Sequence, residues 1–314
     1  MLHSLLRPAI IVVPLIVGWF FPAVGPLALA PYHAVRITLF LMIFLAALPI
    51  RFRELRPRRE HWRLLAVNLL MGILPFFLVR AFLPDHRELA LALFFLGITP
   101  TAAASSVVIA LLNCRVGFAL TGFAISNAGI ALAMLLLLPL TTGHFTVEFV
   151  LDAARTILLL IAVPVAAAML CRRFTPGLLR FTSQLKTVSL SLWGASIFIL
   201  AALARRYFLE HPGQSPARLA LFAAVSLLAC ILNFSVGALI APRKLRRECS
   251  QLLGQKNTIF SICLALAYAT PLVALTLTCY ILWHNLCNAI QICRYDRRKQ
   301  LRRRRRSALS TTCQ

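Results

Sequence analysis

Lys256 stands in Leu252-Leu253-Gly254-Gln255-Lys256-Asn257-Thr258-Ile259-Phe260, a polar interruption inside an otherwise apolar segment. A charged side chain within a bilayer costs roughly 2.5 to 3.5 kcal/mol on insertion scales, so a Lys kept there is a candidate functional group. A second interruption, Thr99-Pro100-Thr101-Ala102-Ala103-Ala104-Ser105-Ser106, breaks another apolar segment with small and hydroxylic residues. No Asp or Glu falls in the middle of an apolar segment, so no carboxylate is at hand to neutralise Lys256. Three states stay open for it: neutral, with a lowered pKa that lets it cycle a proton; snorkelling to the surface; or meeting an anion from outside.

The elements that must position these residues are membrane helices. The chain is 60% hydrophobic and 13% charged, and apolar runs of spanning length recur along it. Ten spans are predicted, at about 8–27, 34–50, 63–83, 88–112, 116–140, 149–171, 185–207, 216–241, 250–269 and 271–293. The expected class is therefore an all-α polytopic membrane protein. Residues 1–293 form a single transmembrane domain, and 294–314 a basic tail. The segment near Ala28-Leu29-Ala30 reads as the end of the first membrane helix rather than a cleaved leader, because the apolar stretch is long and Pro31 follows at once.

Charge sets the orientation. Arg36, Arg80, Arg87, Arg155, Arg205, Arg206 and Arg218 fall on one side of the predicted spans. All other Lys and Arg, Lys256 excepted, fall on the side that holds both termini, so both termini are expected in the cytoplasm of a multi-pass cell (inner) membrane protein. This distribution also reassigns the net charge of +24 from nucleic-acid binding to topology. The run Arg302–Arg306 anchors the last helix and attracts anionic lipids of the bilayer. The nine Cys form no CxxC pair and no Cys/His cluster of metal-ligand spacing, so neither a disulfide framework nor a structural metal is expected.

Ten spans divide as five plus five, and an odd number per half makes a duplicated unit inverted, here about 8–140 and 149–293. The two polar interruptions then fall in the fourth span of each half, the fourth and ninth helices of the chain. A helix broken there leaves backbone N–H and C=O groups to be satisfied by ions, substrate, water or each other. Half-helix N-termini facing a break favour an anion. The plain alternative for Ala102–Ser106 is a small-residue packing face. The candidate substrate- and ion-binding residues are Thr101, Ser105, Ser106, Ser126, Asn127, Gln255, Lys256, Asn257, Thr258, His284 and Asn285. His284 alone reads more readily as an interior group than as a proton carrier, and Gln184 and Asn233 as interhelical hydrogen-bond groups.

With these residues in view, the chain resembles the bile acid:sodium symporter family over its whole length. Pro100-Thr101-Ala102-Ala103-Ala104-Ser105-Ser106-Val107 stands where that family has Pro-Gly-Gly-Thr-Ala-Ser-Asn-Val. Gly254-Gln255-Lys256-Asn257-Thr258 is similar to its Gly-Met-Gln-Asn-Ser, and Trp283-His284-Asn285 to its Trp-His-Asn. The resemblance implies two crossed, broken helices in an inverted repeat, divided into panel and core, that move organic anions with sodium. It also exposes departures. The family's sodium-binding Glu falls on Leu252, the Gln of Gly-Met-Gln-Asn on Lys256, and a further sodium-linked Gln near Leu70. One sodium site thus loses its carboxylate and amide side chains. The other keeps Ser105, Ser106, Ser126 and Asn127 as residual oxygen ligands.

The expected function is secondary active or facilitative transport of a small organic anion by alternating access, sodium-independent if Lys256 supplies the positive charge of a lost sodium. An ordinary symporter using the remaining sodium site is the alternative. A non-transporting membrane sensor or an intramembrane enzyme built on Lys256 and His284 is the alternative of another class, and no GxSxG elbow, metal set or carboxylate pair supports the enzyme. No cofactor is expected. Sodium, proton or no coupling all remain open, as do the substrate, the direction of transport and the oligomeric state.

Overall fold

The computed structural model describes residues 31–48, 55–143 except 103, 146–175 and 215–312, with scattered positions in 13–21 and 177–209. The predicted spans 8–27 and 185–207, and Gln184, lie largely or wholly outside the described residues. Eleven α-helical elements lie among the described residues. They are α1 (Pro31–Ala47), α2 (Arg59–Phe82), α3 (Arg87–Ile98), α4 (Ala104–Leu111), α5 (Val116–Thr142) and α6 (Val147–Ile157). They continue with α7 (Val163–Phe174), α8 (Pro216–Leu239), α9 (Arg246–Gly254), α10 (Thr258–Tyr268) and α11 (Pro271–Thr312). Only helices satisfy every backbone group within their own segment, and a lipid-facing chain requires that.

Among the described residues, five helices are long and apolar enough to cross a membrane: α2, α5, the α6–α7 pair, α8 and the first part of α11. Local chemistry sets their bounds. Pro216 and Pro271 open α8 and α11 where a missing N–H costs nothing. Gly143, at φ 79°, closes α5 in the left-handed conformation. Between α6 and α7 the chain makes a π turn over Leu158–Ala162, just ahead of Pro164, which cannot donate to an α-helical ladder.

Two predicted spans are divided. The one at 88–112 is α3 and α4, and the one at 250–269 is α9 and α10. The basic tail from 294 continues the last helix without interruption to Thr312.

Polar contacts collect at two ends. At one end, the His61 ring nitrogen Nε2 lies 3.1 Å from the Phe118 carbonyl, Arg63 donates to the Ile240 carbonyl, and the Arg115 N–H donates to the Glu248 carboxylate. At the other, Arg218 pairs with Glu88 and Tyr268 donates to Asp152 at 2.7 Å. Leu132, Leu136 and Leu140 make an exposed stripe along α5, while Phe94, Phe95, Phe260 and Tyr280 fill the interior. Charge at the ends and apolar stripes between them fit a bilayer.

Candidate functional site at the crossing of two broken helices

α3 stops at Ile98 because Pro100 removes a donor and forces its predecessor out of the helical region, with Thr99 at ψ 129°. The chain then runs extended past the second break, and the two segments pair. Ala102 N–H donates to the Gln255 carbonyl at 2.8 Å, and Asn257 N–H to the Pro100 carbonyl at 2.7 Å. The result is an antiparallel bridge between Thr101 and Lys256. The second break contains no Pro, so the partner strand itself replaces the lost helical bonds.

The helix ends account for their carbonyls almost completely. The Gly97 carbonyl accepts from Lys256 Nζ at 2.8 Å, and the Ile98 and Thr99 carbonyls accept from Asn68 Nδ2 at 3.2 Å each. Asn127 Nδ2 donates to the Thr101 carbonyl at 2.9 Å, and Ser126 Oγ accepts from Thr101 N–H at 3.0 Å. On the other break, the Leu252 carbonyl accepts from Thr101 Oγ1 at 2.6 Å and the Gly254 carbonyl from the Tyr280 hydroxyl at 2.8 Å. One sequence offset relates Thr101 to Lys256, Gly97 to Leu252, Pro100 to Gln255 and Ala102 to Asn257. The hydrogen bonds exchange under it: Thr101 caps Leu252 as Lys256 caps Gly97. The crossing therefore has local two-fold character.

Lys256 is 1% exposed, and its Nζ donates to Asn68 Oδ1 and to the Gly97 carbonyl. Snorkelling is thereby overturned, because the side chain runs into the protein rather than toward an end. Its Nζ lies at the C-terminus of α3, where the end carbonyls carry partial negative charge and favour a cation or a donor. Its partners are neutral, a side-chain amide and a backbone carbonyl.

Asn68 was not among the sequence-derived candidates. The alignment had placed a lost amide near Leu70, but Leu70 is 57% exposed on the outer face of α2. Asn68, two residues earlier, is the buried amide at this position. A lone Asn within an apolar span was the available signal. Two glycines bring it into reach: Gly72 and Gly97 meet where α2 crosses α3, and a Cβ on Gly97 would stand 2.0 Å from the Met71 carbonyl oxygen.

Leu252 is buried, with a methyl where a Cβ on Gly122 would come within 2.5 Å. Beside it lies a cavity of about 10 Å³, lined by His61, Asn68, Thr101, Gly122, Ser126 and Leu252 among others. That volume is at the lower limit for one water molecule.

The remaining candidates divide by neighbourhood. Thr101, Ser126, Asn127, Asn257 and Lys256 belong to one connected network. Ser105 is buried on α4 with an unpaired Oγ, and Asn127 keeps an unpaired Oδ1. Ser106 is half-buried, and Thr258 is buried at the start of α10. Gln255, His284 and Asn285 are buried with unpaired polar atoms, and the His284 ring meets Tyr280 on α11 with centroids 5.5 Å apart. Asn233 donates to the Ala229 carbonyl of its own helix at 2.8 Å and its side chain also meets the Tyr280 hydroxyl of α11.

Residues 36–211 match the family model described as Sodium Bile acid symporter family. The match takes in the first break and stops short of the second. No curated protein matches the chain.

Proposed function

The chain belongs to the sodium bile acid symporter family, and from that premise we propose that it carries a small organic anion across the membrane with Lys256 in the role of a tethered cation. One observation carries this reading: Lys256 Nζ donates to the Gly97 carbonyl and to Asn68 Oδ1 at the negative end of a half-helix. A sodium ion at that place would need oxygen ligands and a compensating charge. Leu252 and Lys256 supply neither, and an ammonium about 4 Å away repels a cation by about 4 kcal/mol at an effective dielectric of 20. Positive charge is thus available at the crossing without an ion.

The geometry suggests how the anion is handled. α4 and α10 begin at the crossing, so their N-termini add partial positive charge where an anion arrives. The paired breaks join both half-helix sets into one body, which lets them move together in alternating access. Cytoplasmic termini and an inner-membrane location follow from the charge distribution, with anionic lipid along the basic tail.

A second reading is favoured by two specific atoms. Ser105 Oγ and Asn127 Oδ1 are buried and unpaired, so these residues with Ser106 and Ser126 would hold one sodium in an ordinary symporter. Uptake of labelled organic anions into proteoliposomes, with sodium replaced by potassium or choline, separates the two. Uptake unchanged without sodium supports the tethered cation. Steep, two-ion sodium dependence rejects it, and a single-ion dependence selects the residual site. Absence of any counterflow would instead favour a sensor or an enzyme.

A further inference from the structure

Three contacts join α9 to one face of α11. The Arg247 guanidinium lies over the Tyr295 ring, 5.4 Å from its centroid. Gln251 Nε2 donates to Gln291 Oε1 at 3.0 Å, and the Tyr280 hydroxyl donates to the Gly254 carbonyl at 2.8 Å. Along α11, positions 280, 284, 288, 291 and 295 recur at three- and four-residue spacing, so they form one stripe of the helix. His284 and Asn288 therefore lie on this stripe between the Gln291 contact to Gln251 and the Tyr280 contact to Gly254.

This seam holds polar atoms that the described residues do not satisfy. Gln251 Oε1, both amide atoms of Gln255, His284 Nδ1 and both amide atoms of Asn288 are buried and unpaired. Gln251 is 0% exposed and Asn288 4%. A buried polar atom without a partner destabilises the fold, so several in one seam call for an occupant. Lys256 does not provide it, because neighbouring residues of an extended segment point to opposite sides and Lys256 reaches toward α2 and α3.

The atoms restrict the occupant's chemistry. Three are amide oxygens that accept, two are amide nitrogens that donate, and His284 Nδ1 does either according to tautomer. Exchanging oxygen and nitrogen in Gln255 or Asn288 leaves this balance unchanged. A metal cation would leave the donors unpaired, and a carboxylate would leave the acceptors unpaired. A hydroxyl both donates and accepts.

We propose that the α9–α11 seam is a hydroxyl-binding site, its hydroxyl arriving as water or as part of the transported anion. The substrate half of this statement rests on the reading of the chain as an organic-anion carrier; the water half does not. The full chain is tested by thermal stabilisation with anion pairs that differ in hydroxylation: cholate against unsubstituted cholanoate, and lactate against propionate. Radiolytic hydroxyl-radical footprinting of the ligand-free protein forms the second arm.

If the substrate supplies the hydroxyl, one hydroxylated member stabilises wild type at roughly 100-fold lower concentration than its partner, and Asn288→Leu brings that ratio near one. If water supplies it, the pairs act alike while His284 and Tyr280 are labelled rapidly in wild type and slowly in Asn288→Leu. Gln255→Met serves as a second variant should Asn288→Leu fail to fold, and the wild-type footprint needs no variant. Equal action of both pairs together with protected seam residues overturns the proposal. Rapid seam labelling with no anion response at all would leave the seam standing and count against the carrier reading instead.

Discussion

Lys256 Nζ donates to the carbonyl oxygen of Gly97 at 2.8 Å, which places a buried lysine nitrogen on the last turn of a half-helix. The carbonyls there need donors whether or not an ion is present. On the proposed reading a tethered cation answers that need, and the consequences are measurable.

Lys256→Gln removes the charge and shortens the donor. Anion uptake is expected to fall at least about tenfold, and sodium is expected to begin raising the melting temperature of the purified protein, because the repulsion of about 4 kcal/mol is gone. Thermal shifts of wild type and variant, with and without sodium, check this. A wild type that responds to sodium as strongly as the variant would contradict it.

Asn68→Leu strips the Ile98 and Thr99 carbonyls of their donor and Lys256 of an acceptor. Leaving a buried polar group without its partner costs about 1 to 3 kcal/mol, and several are stranded here, so a marked drop in melting temperature is expected. The double variant Asn68→Leu with Lys256→Met should recover part of that loss, since no buried charge is then stranded. A double-mutant cycle in detergent measures the coupling.

Gly97→Ala should be far more damaging than its size suggests. The new methyl would stand 2.0 Å from the Met71 carbonyl oxygen, forcing α2 and α3 apart and taking Asn68 away from the crossing. Gly117→Ala is the control, with nothing within 4 Å of the added carbon. It is expected to be neutral or to stabilise by up to about 1 kcal/mol through helix propensity. Expression level and melting temperature distinguish the two.

Thr101→Val keeps the shape and loses the hydroxyl that caps the Leu252 carbonyl. A stability loss of about 1 to 3 kcal/mol is expected, with Thr101→Ser restoring most of it. If transport requires the crossing to hold its register, uptake should fall in the Val variant and return in the Ser variant.

Much of the fold was legible because bilayer physics is one-dimensional. Span length, charge at the ends and the Pro100 break each depend on residues close together in sequence. The limits were physical as well. The second break has Gly254 but no Pro, and its extended geometry is held by Pro100 and Ala102, far away in the chain. Charge marks the membrane edge near 294 but does not end a helix, and α11 continues through the basic tail to Thr312. Asn68 was passed over because sequence alignment alone carries a two-residue ambiguity that only burial resolves.

By itself, the sequence determined that Lys256 lies within an apolar segment and that no Asp or Glu falls in the middle of such a segment, since that follows from counting charges against apolar runs. Tertiary structure decided what the ammonium touches. Its partners, Asn68 and Gly97, sit on two different helices brought together at the Gly72–Gly97 contact, and its backbone register comes from pairing with Thr101. Hydrogen bonds are short-ranged and directional, so the choice among an ion, a surface and a helix end could be made only once those helices were packed.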